Sequence, residues 1–377
     1  MKIIIAPDKF KGSLTSMEAC SAIKQGLLRA GGKLEIRLFP LADGGDGFSD
    51  VMKYYSNTVS EQLQSVDPVG RIIFSSYEYN LHEHTAIIEL ASCSGLAMLE
   101  KNLRNPLLTS TYGTGLQILH AIRKGAKKII LGIGGSATND AGTGILGALG
   151  FQFQDSNGNI LNPCGEALSV ITQIIPPMYL PTVEIEIACD VNNPLYGPEG
   201  AALIFSPQKG ATSDQVELLD SGLKNFASII EKQTGKDVSN FPGSGAAGGI
   251  AAGLMAYLPV KIIEGTELIF RASNIKNSLD GADIIITGEG KIDLQSFRGK
   301  TVSAVTAMAS QKQIPVVALC GKLELSEPEW KELGIALAAA LNDGSSSEEE
   351  SMQRAHEMLA DKAEWIFPYL KKLDGKK

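Results

Sequence analysis

The residues best suited to chemistry in this chain lie in short glycine-rich segments. The densest is Gly132-Ile-Gly134-Gly135-Ser136-Ala-Thr138-Asn139-Asp140-Ala-Gly142-Thr-Gly144. Glycines let backbone N–H groups approach a ligand, and Ser136, Thr138 and Asn139 add polar side chains, a set suited to phosphate oxygens. Tight helix–strand packing also selects small residues, but it does not select Ser136, Thr138, Asn139 and Asp140 together. Asp43-Gly44-Gly45-Asp46-Gly47 places two carboxylates in a tight loop, fit for Mg2+ or a substrate hydroxyl, or simply for a solvated turn. Lys9 and Lys11 precede Gly12-Ser13 at a helix start, which suits an anion; solvated charges are the plain alternative. Cys189-Asp190-Val-Asn192-Asn193-Pro194 offers Asp190 and Asn192 to a metal or a hydroxyl, or forms an Asx turn.

Two further loops of small residues precede helices, Ser110-Thr-Tyr112-Gly113-Thr114-Gly115 and Gly243-Ser-Gly245-Ala-Ala-Gly248-Gly249. Close packing explains the second as well as phosphate binding does. Thr287-Gly-Glu289-Gly-Lys291-Ile-Asp293, with Gly299-Lys300-Thr301 after it, adds acids and bases behind a buried strand. Gly-Lys-Thr invites comparison with a Walker A loop, but Leu294 stands where the leading glycine belongs. Phosphate needs N–H donors and lysines, Mg2+ needs carboxylates, and an acceptor hydroxyl needs a base. The loops supply all three. Nucleophilic hydrolysis is less supported, because the histidines (His82, His84, His120, His356) lie outside the glycine loops.

These loops need elements to position them. Lys2–Ala6, Leu34–Phe39, Asp283–Thr287, Val316–Cys320 and Ile335–Leu341 read as strands. Helices at Ser13–Arg29, Ser296–Gln311 and Pro328–Leu333, and a last one from Ser346, alternate with them. Apolar strands separated by helices predict a parallel sheet. The middle differs: Thr58–Gln64, Arg71–Tyr79 and Thr85–Ala91 read as a β-meander, Val183–Ala188 and Ala201–Phe205 as strands, and Ser213–Gln233 as a helix. The predicted fold class is α/β. Residues 1–58 and 275–377 form a Rossmann- or flavodoxin-like domain, and residues 59–274 form a second α/β domain inserted in it. The ligand loops would meet in a cleft between the two. Lys371–Lys377 reads as a frayed basic tail.

Composition narrows the class. Forty glycines in 377 residues exceed the usual share of about 7%. Hydrophobic residues make up 44% and charged residues 20%, which fits a globular chain. A net charge of −8 without a long basic run argues against a nucleic-acid partner. Five scattered cysteines without CxxC spacing suggest buried thiols in a reducing compartment. The N-terminal apolar run is too short for a signal peptide, and no stretch is long enough to span a membrane. The expectation is a cytoplasmic protein without a membrane partner, with homo-oligomerisation left open.

Six segments, in this order, are similar to those of the bacterial class of glycerate kinases: Ala6-Pro-Asp-Lys-Phe-Lys-Gly12-Ser-Leu14, Pro40-Leu-Ala-Asp-Gly-Gly-Asp-Gly47, Ser110-Thr-Tyr-Gly-Thr-Gly115, Gly132-Ile-Gly-Gly-Ser-Ala-Thr-Asn-Asp140, Cys189-Asp-Val-Asn-Asn-Pro-Leu195 and Thr287-Gly-Glu-Gly-Lys-Ile-Asp293 with Gln295, Gly299 and Lys300. Ser296, where such chains often carry Thr, and Thr301–Val305, where a Pro/Gly-containing helix start is usual, depart from the pattern. The resemblance implies ATP-dependent phosphorylation of D-glycerate with Mg2+, 2-phosphoglycerate being favoured over the 3-isomer. On that reading Gly134, Gly135, Ser136, Thr138, Asn139 and Lys300 hold ATP. Asp43, Asp46 and Asp190 serve metal or acceptor hydroxyl, and Lys11, Ser110 and Asn192 meet the substrate. Lys9 and Lys291 act in catalysis, with Asp190 preferred to Asp293 as base. Two alternatives are a dinucleotide-dependent oxidoreductase, for which Gly132-x-Gly134-x-x-Ala137 with Asp155 is a poor fingerprint, and a non-enzymatic module that binds anions or sugar acids.

Overall fold

The computed structural model describes residues 1–45, 47–297, 301–342 and 347–374. Its strands are β1 (Lys2–Ile5), β2 (Glu35–Leu38), β3 (Val59–Val66), β4 (Ile72–Asn80), β5 (Thr85–Glu89), β6 (Lys128–Gly132), β7 (Gln152–Gln154), β8 (Gln173–Ile175), β9 (Glu184–Ala188), β10 (Val260–Ile263), β11 (Ile284–Ile292), β12 (Val316–Leu323) and β13 (Ile335–Ala340). The chain divides into two compact units, Met1–Asp43 with Thr266–Lys377, and Gly44–Gly265. The crossings thus fall earlier than the 58/59 and 274/275 drawn from sequence. Helix Phe48–Tyr55 packs on β4 and β5, so it goes with the middle segment.

The outer unit is a five-stranded sheet in the order β13-β12-β11-β1-β2, every neighbouring pair parallel. Ile3, Ile4, Ile5, Ile284, Ile285, Ile286, Val316 and Val317 are buried, as a sheet covered on both faces requires. Helix Ser16–Ala30 starts at Thr15, whose side chain and Glu18 form a capping box. It packs its Ala19, Ile23 and Leu27 face into one core with Leu359, Ala363 and Ile366 of helix Ala355–Asp374. That last helix runs on through Lys371 and Lys372 with Leu370 buried, so the basic tail expected from residue 371 is helical to Asp374. Strand β11 is also longer than expected. It pairs with β12 as far as Ile292 and Leu323, because Ile292 joins a small core with Val302, Cys320 and Trp330. Glu289 and Lys291 therefore stand on a strand rather than in a loop after Thr287.

The middle unit carries a six-stranded sheet, β10-β9-β6-β5-β4-β3. β10, β9, β6 and β5 are parallel, while β3, β4 and β5 form the antiparallel meander read from sequence. β7 and β8 make a separate antiparallel pair. Ala201–Phe205 is a helix, not the expected strand. Five apolar residues do not reveal their period. Here Ala201 and Ala202 are buried while Leu203 and Ile204 face out, and the turn packs on helix Ser213–Thr234. No helix of the described residues is long and apolar enough to cross a membrane.

Candidate active site

The carboxyl ends of parallel strands are where α/β sheets present ligand loops. In the middle unit those ends carry Glu89 at the end of β5, Gly132 at the end of β6, Asp190 after β9 and Gly265 after β10. Asp190 Oδ1 accepts the Gly265 N–H at 2.9 Å, and Glu89 Oε1 accepts the Gly47 N–H at 3.2 Å. A Cβ on Gly134 would sit 2.4 Å from Gly45 Cα, and one on Gly44 would sit 3.3 Å from Asp190 Oδ2. The loops at 44–47 and 132–144 and Asp190 therefore share one neighbourhood, and glycine at 134 is what permits the approach.

The loop after β6 has an outer rim and a buried floor. Gly135 is exposed in the left-handed region, and the backbone N–H groups of Gly134, Gly135 and Ser136 find no acceptor among the described residues. Thr138, Asn139 and Asp140 are fully buried beneath, and the Asn139 side-chain amide makes no hydrogen bond among the described residues. Ser136 Oγ accepts the Thr138 N–H at 3.1 Å and the Lys209 ammonium at 3.2 Å. Lys209 also donates to the Thr138 carbonyl at 2.5 Å. This lysine is 2% exposed, and burial pulls its pKa down to about 7 against the opposing field of Asp140. Asp140 is a clamp. Its carboxylate accepts the Thr111 N–H and Oγ1–H, both at 2.8 Å, and the Gly142 and Gly144 N–H groups, both at 3.1 Å. Burial pushes its carboxyl up from the ordinary range while these donors pull it down.

Ser110 lies at the start of helix Tyr112–Arg123, its Oγ accepting the Tyr112 N–H at 3.3 Å. Asn192 is exposed. The loop 243–249 serves packing: a Cβ on Gly248 would meet the Thr138 carbonyl at 2.3 Å, and the Ala247 carbonyl accepts from Ser136 Oγ at 3.4 Å.

In the outer unit Asp8 follows β1 and is 4% exposed. It accepts the Lys9 N–H and the Thr301 Oγ1–H, both at 2.6 Å. Lys9 Nζ lies 3.1 Å from Asp43 Oδ1 and 3.8 Å from Asp8 Oδ1. Burial raises the Asp8 carboxyl to about 6; Lys9 opposes this and Asp43 adds to it. Lys11 is exposed. Lys291 is bracketed by Glu324 at 2.7 Å and Asp293 at 3.0 Å, and these two carboxylates raise its pKa. Asp293 also accepts the Ser296 N–H at 3.3 Å. Asp46 and Lys300 lie outside the described residues.

Comparison with known proteins decides the family. The model of the glycerate kinase family matches residues 3–371. This chain belongs to the glycerate kinase family. It is 40% identical over 365 residues to a glycerate kinase of Halalkalibacterium halodurans, covering 96% of each chain. It is 39% identical over 327 residues to the glycerate 2-kinase of Escherichia coli, covering 86% of each. A crystal structure assigned to glycerate kinase 2 of Salmonella typhimurium LT2 superposes with a TM-score of 0.86 at 35% identity, covering 99% of this chain and 98% of that one.

As a member of the glycerate kinase family the chain is a phosphotransferase, which sets aside the oxidoreductase and the non-enzymatic module. Two buried ionisable groups of this kinase escaped the sequence reading. Asp8 stood in a loop whose lysines drew attention; its place directly behind the buried run Ile3-Ile4-Ile5 was the available signal. Lys209 sits in Pro207-Gln-Lys-Gly210, where no local pattern marks it.

Proposed function

We propose that the chain transfers the γ-phosphoryl group of ATP to D-glycerate in the cytoplasm, at the 2-hydroxyl rather than the 3-hydroxyl. The observation that carries this reading is the rim of N–H donors at Gly134, Gly135 and Ser136, backed by the buried ammonium of Lys209, in a chain of the glycerate kinase family. Such donors favour phosphate oxygens. The glycerate 2-kinase of E. coli supports the 2-position.

In this reading the rim holds nucleotide phosphates, Thr138 and Asn139 shape it from beneath, and Lys300 adds a cation. Lys9, Lys11 and Lys291 meet the glycerate carboxylate or the transferring phosphoryl, and Ser110 and Asn192 border the substrate. Asp190 takes the hydroxyl proton, with Asp293 second in preference. Lys291 and the Ser296 N–H engage Asp293, and the Gly265 N–H engages Asp190.

Among the described residues no three His, Cys, Asp or Glu side chains cluster to cage a metal. Mg2+ in a kinase needs only a few protein carboxylates, because waters and phosphates complete its shell. Asp43, Asp46 and Asp190 are the carboxylates assigned to it. Bound there, Mg2+ would neutralise charge that develops on the transferring phosphoryl group.

Purified protein is incubated with Mg2+-ATP and D-glycerate, ADP release is followed by a coupled assay, and the product is read by phosphorus NMR. Glycerate-dependent ADP with a 2-phosphoglycerate resonance is expected. A folded, ATP-binding protein that turns nothing over overturns the reading, and a 3-phosphate product overturns the regiochemistry. An Asp190→Asn variant is expected to lose at least 100-fold in kcat, roughly the contribution of general acid–base catalysis. Wild-type turnover would remove Asp190 from the base role.

A further inference from the structure

The middle unit buries a lysine that no local requirement of the fold explains. Lys209 closes the turn Pro207–Lys209 that follows helix Ala201–Phe205, and it is 2% exposed. An ammonium out of water is unfavourable unless it is paired and hydrogen-bonded. Its partners are two neutral acceptors of the glycine loop, the Thr138 carbonyl and Ser136 Oγ. Asp140 lies near enough to act on it electrostatically, yet that carboxylate bonds to Thr111, Gly142 and Gly144 instead. A methionine would fill such a site without the desolvation cost. The lysine's charge points to a use on the far side of the loop, where the N–H groups of Gly134, Gly135 and Ser136 find no acceptor among the described residues.

We propose that Lys209 is a positioning residue that braces the Ser136–Thr138 turn and couples nucleotide binding to its own protonation. The inference rests on the reading of Gly134–Ser136 as the phosphate rim. A phosphate chain on the rim favours a positive charge beneath it, so binding draws a proton onto Lys209. Burial supports this by holding the ammonium near a pKa of about 7 in the free protein, where its charge is divided around neutral pH. The sign follows. Affinity is highest where the lysine is already protonated, and it falls as pH rises above about 7 because each binding event must then also take up a proton.

Among the described residues, Asp140 is the charged group whose field shifts this lysine. It acts from the loop after β6, and Asp140 also acts on Cys164, which lies beside Glu166. The backbone of Arg104 abuts Gly210, with its guanidinium turned to the Leu99 carbonyl at 3.2 Å. The packed loop 243–249 contains no ionisable side chain.

The test is calorimetric titration of the intact protein with ATP, glycerate absent. Mg2+ is in excess so that the nucleotide phosphates are already ionised. Titrations in two buffers of different ionisation enthalpy count the protons. Wild type is expected to take up about half a proton near pH 7.5, and its Kd to weaken about sixfold from pH 6.5 to 8.5, the effect over that range of one unit of pKa shift. Lys209→Met is expected to bind weakly with no uptake and a flat pH profile. Lys209→Arg, which stays charged, is expected to be flat and tight, and it carries the test if the methionine variant does not fold. Zero uptake by wild type overturns the proposal, as does an unchanged profile in either variant. Hydrogen exchange separates this from failure of the parent reading. Protection of residues 132–140 by ATP without proton uptake sinks the Lys209 proposal alone, whereas binding that leaves those amides unprotected sinks the rim assignment itself.

Discussion

Removing the Asp140 carboxylate should loosen the glycine loop in a measurable way. The side chain is fully buried and gathers donors from three places: Thr111 ahead of helix Tyr112–Arg123, Gly142 in the loop, and Gly144 in helix Thr143–Ala148. Asp140→Ala leaves three peptide N–H groups and the Thr111 hydroxyl without this acceptor. A buried donor left unpaired costs about 1–3 kcal/mol. The variant also regains the cost of burying a carboxylate, the cost that pushes its pKa up. The net loss is on the order of 3 kcal/mol. For a unit of this size each kcal/mol shifts Tm by about 2–4 °C, so scanning calorimetry should find a fall of roughly 6–12 °C. Thr111→Val removes one donor to Asp140 and the acceptor of the Ile145 N–H at 3.0 Å, at about 1–2 kcal/mol. The double variant should lose less than the two singles together, by roughly 0.5–1 kcal/mol or more, because both act on one network. A Tm within about 2 °C of wild type for Asp140→Ala, or strict additivity, would refute the clamp.

Two other perturbations probe the units separately. Ala247 holds a φ of 50° in the loop packed on Thr138, a conformation costing a non-glycine residue about 1–2 kcal/mol, so Ala247→Gly should stabilise by roughly 0.5–1 kcal/mol in denaturant unfolding after glycine's own entropy is counted; a loss instead would show that the methyl packing outweighs the strain. The Asp8 carboxyl, raised from 3.8 to about 6, binds its proton more tightly folded than unfolded, so its contribution to stability falls as pH rises from about 4 to 6. Asp8→Asn does not titrate, and its stability relative to wild type should climb by about 1–3 kcal/mol over that window in urea titrations; a constant difference would mean that Asp8 ionises normally.

Much of the fold was legible because its signals are local. Ile3-Ile4-Ile5, the Thr15–Glu18 capping box and the meander from Val59 to Glu89 each express their element within a few residues. The glycine loops were legible for the same reason, since a backbone that must meet an anion or another backbone announces itself in composition. Local reading failed where the deciding contact was distant. Ala201–Phe205 is helical because of the helix it packs on, and β11 is long because Ile292 finds a core with Trp330.

The site divides along the same line. The sequence by itself determined which residue types gather at strand ends, and through motif order it determined the chemistry of the family. Tertiary structure alone decided their states. Asp8 meets Thr301 across 293 positions, and Lys209 reaches Thr138 across 71. Only these contacts bury the carboxylate and the ammonium. Burial and the field of neighbours set a group's charge, and neither is a property of the residues beside it in the chain.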